Sequence, residues 1–253
     1  MNRYSSYFYY AFSAKRRHNL HSPFVYEMSD KCLNVPILKE HRQIIDKQSI
    51  ALGNNKQSIT ISDFGAGSKI MGNERLIKAI FKNSRSSKRY ADLLYQLAAY
   101  YQPKHILELG TSLGWGALHL HLGCPEAIID TVEGCPQTFE AAKTLFPVQS
   151  KNIRFHNRLF DSYLNQLEQE KFDLIFIDGN HRGAALITYI ELLFEHSHDH
   201  TLWVLDDIRW SDDMWKAWEK IFKDRRFHVS IDFLRMGILV RRESQEKEAF
   251  ILK

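Results

Sequence analysis

From residue 104 onward, short apolar runs alternate with amphipathic segments in a regular order. HILELG (105–110), FDLIFIDG (172–179) and TLWVLDD (201–207) have the length and continuity of buried parallel strands. Helical patterns lie between them, such as PQTFEAAKTLF (136–146), which opens on a proline at the position where proline often starts a helix. Strict alternation of strand and helix predicts a doubly wound, Rossmann-like α/β sheet that is mostly parallel.

The end of the chain departs from this alternation. FHVSIDF (227–233) and GILVRR (237–242) are strand patterns separated by only three residues. A parallel pair needs a crossover much longer than that, so the two strands should pair antiparallel. We therefore predict one antiparallel strand at the C-terminal end of the sheet.

The N-terminal third has a different pattern. It opens with aromatic and basic residues, and residues 21–55 then carry two helical patterns. A short extended pattern follows at 58–62, and residues 73–101 read as helix with a break near SRSS. These patterns predict a helical N-terminal cap over residues 1–89 and a Rossmann-like domain over residues 90–253.

Composition narrows the class of protein. A chain of 253 residues that is 44% hydrophobic can bury a large core, and its net charge of +4 permits anionic ligands without requiring nucleic acid. The three cysteines, Cys32, Cys124 and Cys135, form no CxxC pair, which favours reduced thiols in the cytoplasm. No apolar run approaches the ~18 residues of a membrane helix. We expect a cytoplasmic protein with no membrane partner.

Two glycine-rich loops follow strand-like runs, ISDFGAGSK (61–69) and HILELGTSLGWG (105–116). An adenosine ligand needs a glycine turn after one strand and an acid at the end of the next strand, roughly 20 residues on. The second loop meets this demand, because Glu133 ends the next strand pattern. The first loop has two interpretations: a part of the cap where Asp63 or Ser68 touches substrate, or a tight turn between helices.

The residues of the second loop discriminate among cofactors. The spacing of Gly110 and Gly114 does not match the dinucleotide fingerprint, and the GK[ST] of a phosphate-binding loop is absent. Glu108 lies two residues before the first glycine, where a carboxylate would repel a phosphate. This acid instead favours a cationic ligand, such as one with an amino acid group or a sulfonium.

ILELGTSLGWG, TVEG, FDLIFIDGNH and LWVLDDI resemble the motifs of class I S-adenosylmethionine-dependent methyltransferases, most closely those of the O-methyltransferase-like branch. The resemblance covers about residues 90–242 and implies S-adenosylmethionine as cofactor. The sequence departs from the common pattern at Ser112, where glycine is usual, but serine is small enough for the turn. The cofactor residues that the resemblance implies are Glu108, Gly110, Thr111, Ser112, Gly114 and Trp115 in the loop, Glu133 at the ribose, Phe160 and Asp161 near the adenine, and Asp178.

Three acids follow the later strands, Asp178 after one and Asp206 and Asp207 after the next. Carboxylates that converge at one sheet edge repel one another unless a cation or a proton intervenes. Their oxygens suit Mg²⁺ or another divalent cation. In catechol-type O-methyltransferases two acids and an amide hold such a metal, and here Asp207 stands in place of the amide. The metal would activate and orient a substrate hydroxyl.

His181, in the same IDGNH segment as Asp178, is the candidate general base for that hydroxyl, and Asp178 is the second candidate catalytic residue. Structural interpretations stand beside these functional ones. His181 can serve only to hydrogen-bond a loop. Asp206 can cap the next helix or pair with Arg209.

The sequence thus predicts transfer of a methyl group to an oxygen of a small-molecule acceptor. Alternatives are an RNA or protein methyltransferase, or a non-catalytic protein that binds S-adenosylmethionine and acts by interaction. No RNA-binding module or aromatic–basic repeat supports a nucleic-acid partner. A homodimer fits the pattern, although the sequence determines neither the oligomeric state nor the acceptor.

Overall fold

The computed structural model describes residues 3–14, 21–62 and 73–252. The DFGAGS loop that the sequence singled out, with Asp63 and Ser68, lies outside these described residues. The chain divides into two compact units. The first contains Met1–Tyr26, His105–Leu107 and Asp161–Lys253, and the second contains Glu27–Lys104 and Glu108–Phe160. The division between residues 89 and 90 stays a prediction.

The described elements match the order that the patterns indicated from His105 to Val240, and the strands Asn73–Leu76 and Glu248–Ile251 are additional. The helices are α1 (Arg3–Ser13), α2 (Pro23–Asp30), α3 (Lys39–Asn54), α4 (Ile77–Ser84), α5 (Lys88–Tyr101), α6 (Trp115–Gly123), α7 (Pro136–Leu145), α8 (Phe160–Leu164), α9 (Gly183–Phe194) and α10 (Asp212–Lys223). The strands are β1 (Ser58–Ile61), β2 (Asn73–Leu76), β3 (His105–Leu109), β4 (Ile128–Glu133), β5 (Ile153–Asn157), β6 (Leu174–Ile177), β7 (Leu202–Leu205), β8 (Val229–Phe233), β9 (Met236–Val240) and β10 (Glu248–Ile251).

Eight strands form one sheet in the order β10-β8-β9-β7-β6-β3-β4-β5. The pairs β4–β5 and β6–β7 are parallel, and β9 runs antiparallel to both β7 and β8. The predicted fold class is therefore confirmed: a mostly parallel Rossmann-like sheet with one antiparallel C-terminal strand. Strand β10 was not predicted, and it pairs parallel to β8.

The N-terminal patterns are confirmed except at one point. The helical segment breaks where SRSS stands, since α4 ends at Ser84 and α5 begins at Lys88. The prediction of helix at 73–76 was wrong, because these residues form β2 and pair with β1 in the register Ser58↔Leu76. Pairing with a partner strand outweighed the helical period of so short a segment.

In the second unit, α5 and α6 pack at close range. Gly123 is the last residue of α6, and a Cβ built there would lie 2.4 Å from the carbonyl oxygen of Tyr95 on α5. Apolar residues of α5 such as Leu94 and Leu97 are fully buried. The glycine lets two helix backbones approach more closely than any side chain would allow.

In the first unit, a buried ion pair ties several elements together. Arg209 donates from Nη1 and Nη2 to the two carboxylate oxygens of Asp232 at 2.7 and 2.6 Å. Its Nε donates to Ser6 of α1 at 3.0 Å, and its guanidinium lies 4.5 Å from the ring centroid of Trp215 on α10. Removing one partner of such a pair leaves an uncompensated buried charge, which costs about 3–5 kcal/mol.

The cysteines and the lengths of the helices are relevant to the predicted cytoplasmic location. All three cysteines of the chain are buried and free of disulfides. Within the described ranges, no helix is long and apolar enough to cross a membrane. The cytoplasmic location stays a prediction.

We expect Gly123→Ala to destabilise the protein by roughly 1–3 kcal/mol, because the added methyl group forces α5 and α6 apart. Gly53→Ala in α3 is the matched control, since a Cβ there meets no atom within 4 Å. Alanine at that helical position should stabilise by roughly 0.5–1 kcal/mol. Urea unfolding followed by circular dichroism measures both, and a Gly123→Ala variant as stable as the wild type would contradict this packing.

Candidate active site

The loop after β3 is built from residues in the left-handed region. Gly110, Ser112 and Gly114 have φ of 110°, 47° and 76°. Ser112 pays a steric cost for this conformation, and two contacts hold it there: its N–H donates to Glu133 Oε2 at 2.9 Å, and its hydroxyl lies 2.9 Å from that of Ser84. The serine that departs from the usual glycine thus fits the turn.

The loop leads directly into α6. A Cβ at Gly114 would lie 2.8 Å from the ring of Phe146, so the backbone approaches that ring as only glycine can. Trp115, the first residue of α6, is a predicted cofactor residue, but its ring is buried in the core of the second unit, with the ring of Phe81 at 5.1 Å. Its described contacts are those of a core residue.

Glu108, at the end of β3, is completely buried. Its Oε2 accepts a hydrogen bond from the Thr131 hydroxyl at 2.5 Å, and that hydroxyl lies 2.6 Å from the hydroxyl of Thr111. Its Oε1 is buried and accepts no hydrogen bond of ordinary geometry from the described residues, although the backbone N–H of Ala117 acts to lower the pKa of the same carboxyl. Burial raises the pKa of Glu108 from an ordinary value of 4.5 to about 8.

Glu133, at the end of β4, braces the loop with both carboxylate oxygens. Oε2 accepts from the Ser112 N–H, and Oε1 accepts from the Cys135 N–H at 2.9 Å. A carboxylate oxygen can accept more than one hydrogen bond, so Glu133 is a candidate acceptor for ligand hydroxyls. The side chain is half-buried, as a residue that meets a ligand at a sheet edge should be.

These residues fit S-adenosylmethionine by their own chemistry. The unsatisfied Oε1 of Glu108 favours a ligand that brings a donor or a positive charge. Glu133 is a candidate acceptor for ribose hydroxyls. Phe160 and Asp161 form the first turn of α8, where Asp161 is exposed. Their contact with adenine stays a prediction.

A second group of functional residues lies in the first unit, after β6 and β7. His181 Nε2 is 3.7 Å from Asp207 Oδ2, within ion-pair range, and the His181 ring lies against the exposed ring of Trp210 at 5.6 Å. Asn180 and Asp207 flank this histidine with φ of 49° and 52°. Non-glycine residues in this strained region often mark functional sites. Asp178 follows β6 directly and is half-buried.

Arg235, from the turn between β8 and β9, neutralises the adjacent acids. Its Nε and Nη2 donate to the two oxygens of Asp206 at 2.9 and 2.8 Å, and its Nε lies 3.0 Å from Asp207 Oδ1. Asp206 is buried. Burial, with the charge of Asp206 second, raises the pKa of Asp207, while Arg235 and His181 act in the opposite direction.

The predicted metal ligands Asp178, Asp206 and Asp207 do not fit a divalent cation in this arrangement. Among the described residues, no three His, Cys, Asp or Glu side chains are grouped to hold a metal ion. Both oxygens of Asp206 accept from the guanidinium, and Oδ1 also accepts from the Asp207 N–H. The positive charge that the sequence predicted beside these acids is the guanidinium of Arg235.

The structural interpretations of Asp206 are corrected by the same contacts. The cap of α10 is Ser211, whose hydroxyl accepts from the Met214 N–H at 3.1 Å. Arg209 pairs with Asp232 instead. The sequence suggested an ion pair for Asp206 correctly in kind but named the wrong arginine.

Sequence reasoning did not find Arg235 or Thr131. Arg235 was hidden because its place follows from the pairing of β9 with β7, in which Leu205 lies opposite Gly237. That register brings the β8–β9 turn beside the residues that follow β7. A search for basic residues in the predicted turn between residues 233 and 237 would have found it. Thr131 gave a weaker signal, as a hydroxyl within an apolar strand.

The buried carboxyl of Glu108 makes stability depend on pH. Its folded-state pKa of about 8 exceeds the ordinary 4.5, so the folded protein keeps a proton that the unfolded chain releases. This stabilisation is full below pH 4.5 and is lost as pH rises through 8, at about 1.4 kcal/mol per pH unit. Glu108→Gln should show no such loss. Its Tm should therefore rise relative to the wild-type Tm as the pH increases from 5 to 8.

The control for this prediction is Glu126→Gln, which changes an exposed carboxyl and should show the pH profile of the wild type. Differential scanning calorimetry across the pH range provides the measurement. Parallel Tm profiles for Glu108→Gln and the wild type would show that Glu108 is ionised in the folded protein.

Part of the chain matches a known protein family. Residues 107–208 match the model of a family described as a methyltransferase domain. This match begins in β3 and ends just after Asp206 and Asp207, so it includes Glu108, Glu133, His181 and Asp207.

Solved methyltransferases share the fold. The S-adenosylhomocysteine-bound methyltransferase PaMTH1 of Podospora anserina is 18% identical over 83% of this chain and 98% of its own, with a TM-score of 0.57. The O-methyltransferase of Bacillus cereus in complex with S-adenosylhomocysteine is 16% identical over 85% and 96%, also at 0.57. TomG of Streptomyces achromogenes, an O-methyltransferase involved in tomaymycin synthesis and solved with S-adenosylmethionine, is 19% identical over 62% and 82%, at 0.55. The resemblance in the motifs is thereby confirmed: residues 107–208 match a methyltransferase domain, and the chain has the fold of class I S-adenosylmethionine-dependent methyltransferases.

Proposed function

We propose that this methyltransferase binds S-adenosylmethionine at the β3–α6 loop and transfers its methyl group to an oxygen of a small-molecule acceptor. The observation that carries the proposal is the loop itself, in which a buried Glu108 with an unsatisfied Oε1 stands beside a half-buried Glu133. When bound, the cofactor supplies a methyl group activated by its sulfonium. The chain's residues bind and orient it.

Glu108 and Glu133 have different parts in binding. Glu108, whose pKa is raised by burial, responds to a cationic ligand group beside Oε1, because a nearby positive charge favours the carboxylate. The Thr131 hydroxyl, itself hydrogen-bonded to that of Thr111, donates to the other oxygen of this carboxyl. Glu133 accepts the ribose hydroxyls while it braces the Ser112 and Cys135 N–H groups. The cofactor therefore meets acceptors that are already positioned.

His181 is the proposed general base for the acceptor hydroxyl. Its Nε2 faces Asp207, so a neutral ring that carries its proton on Nε2 has Nδ1 available to accept a proton. Asp207 stabilises the imidazolium that results, and Trp210 limits rotation of the ring. The 3.7 Å separation is longer than a hydrogen bond, which is common in ligand-free sites that tighten with substrate. Asp178, after the same strand, is proposed to orient the reacting groups.

An oxygen acceptor of small size is favoured over RNA or protein by two considerations. Structural neighbours such as the Bacillus cereus enzyme and TomG are named as O-methyltransferases. A histidine base also suits a hydroxyl, which must lose its proton during transfer.

We expect Glu133→Ala to weaken binding of S-adenosylhomocysteine by about 10- to 100-fold, because hydrogen bonds to a charged acceptor are lost. Isothermal titration calorimetry with the folded variant gives the dissociation constant. Glu140→Ala on α7 is the control, since that carboxyl is exposed, and it should bind as the wild type does. Equal affinities in both variants would place the cofactor elsewhere, and no binding by the wild type would favour the interaction-protein alternative.

We expect His181→Gln to lower kcat by about 10²- to 10⁴-fold while the affinity for S-adenosylhomocysteine is unchanged, because only proton transfer is impaired. The assay transfers labelled methyl groups to a panel of hydroxylated small molecules, with RNA and protein acceptors in parallel. His200→Gln, which changes an exposed histidine between α9 and β7, is the control. A fully active His181→Gln would leave His181 with a structural role only.

A further inference from the structure

Arg235 occupies the position at which a cation is needed. Asp206 and Asp207 are adjacent in sequence, and Arg235 lies within 3.0 Å of oxygens of both. Asp178 is close enough to stabilise the charged form of the same guanidinium. One side chain therefore contacts two of the three carboxylates that the sequence had assigned to a metal.

The turn that carries Arg235 is held firmly. Leu234, the residue before it, has a φ of 75°, a value that glycine normally takes in a two-residue hairpin turn. Its N–H donates to Asp232 Oδ1 at 2.8 Å, and its carbonyl accepts from Arg209 Nη1 at 2.6 Å. The Ile208 N–H donates to the Arg235 carbonyl at 2.9 Å. The buried Arg209–Asp232 ion pair thus holds the turn so that the Arg235 guanidinium contacts Asp206 and Asp207.

The contacts of Asp207 connect Arg235 to the proposed base. Oδ1 of Asp207 is 3.0 Å from Arg235 Nε, and Oδ2 is 3.7 Å from His181 Nε2. A guanidinium and a divalent cation cannot share these oxygens, because the two positive charges would repel and Asp206 already accepts three hydrogen bonds. Carboxylate oxygens that could bind a metal are present, but the Arg235 guanidinium already occupies them.

We propose that Arg235 takes the place of the divalent cation that the sequence predicted, closing the Asp206–Asp207 pair to metal ions and positioning Asp207 toward His181. Arg235 is a positioning residue, because it acts through Asp207. The positioning half rests on the proposed function, whereas the exclusion of metal is a binding property that can be measured without turnover.

The first test measures Mn²⁺ and Ca²⁺ binding by calorimetry and by the shift in Tm at constant ionic strength. The wild type is expected to bind neither ion at these acids, and Arg235→Gln to gain one weak site that is lost again when Asp206→Asn is added. Arg226→Gln is the matched control, since Arg226 also pairs with two carboxylates, Glu191 and Asp224, on the surface. It should gain no such site.

Two results would overturn the exclusion of metal. One is a Mn²⁺ site in the wild type that Asp206→Asn abolishes. The other is a folded Arg235→Gln that gains no site. If Arg235→Gln does not fold, Arg235→Lys decides: its retained positive charge should keep the acids closed to Mn²⁺, and a Mn²⁺ site in this variant would overturn the proposal.

The second test addresses positioning. With an acceptor from the panel, wild-type activity should be unchanged by EDTA, and Arg235→Gln should lower kcat by about 10- to 100-fold with little change in KM for S-adenosylmethionine. Addition of Mg²⁺ should restore part of the loss in this variant only. Loss of wild-type activity in EDTA would contradict the proposal. If the panel yields no acceptor, the proposed function fails. The metal-binding test still decides whether Arg235 excludes metal ions.

Discussion

Three ion pairs between the segment that follows β7 and the β8–β9 turn are the constraint on which the first unit depends. Asp206 and Asp207 of the segment pair with Arg235 of the turn, and Arg209 of the segment pairs with Asp232 beside the turn. Each element supplies charges of the sign that the other needs, so neither element can move without leaving a buried charge unpaired. The same contacts hold Leu234 in a conformation that a non-glycine residue adopts only when its surroundings require it. Stability and the orientation of Asp207 therefore have one origin.

The second unit solves a different electrostatic problem. Its buried acid, Glu108, has no cation beside it and relies on the hydroxyls of Thr131 and Thr111 and on a raised pKa. A carboxyl in that state is costly in a protein without a ligand, and its open Oε1 is most simply understood as a binding group. The first unit thus neutralises its acids with its own arginines, whereas the second unit keeps an acid buried without a cation.

Much of the candidate site could be predicted from the sequence, because its residues follow strands whose apolar runs are unmistakable. Gly110 and Gly114 in left-handed conformations and Glu133 at the end of β4 lie where the spacing indicated. Trp115 shows the limit of such reasoning, since a residue inside the loop motif turned out to face the core. Position in a motif identifies the backbone segment that meets a ligand, but the direction of each side chain depends on packing.

The sequence by itself determined the alternation of strands and helices, the single antiparallel strand, the glycine turn after β3 and the need for a positive charge near the paired acids. These properties follow from local period, turn residues and the repulsion of neighbouring carboxylates, all of which are written in short segments. Only the tertiary structure decided which group supplies the positive charge beside the acids. Arg235 is 28 residues from Asp207 in the chain and reaches it because β9 pairs with β7. Strand register brings distant residues together through hydrogen bonds between backbones, which no local pattern of side chains encodes.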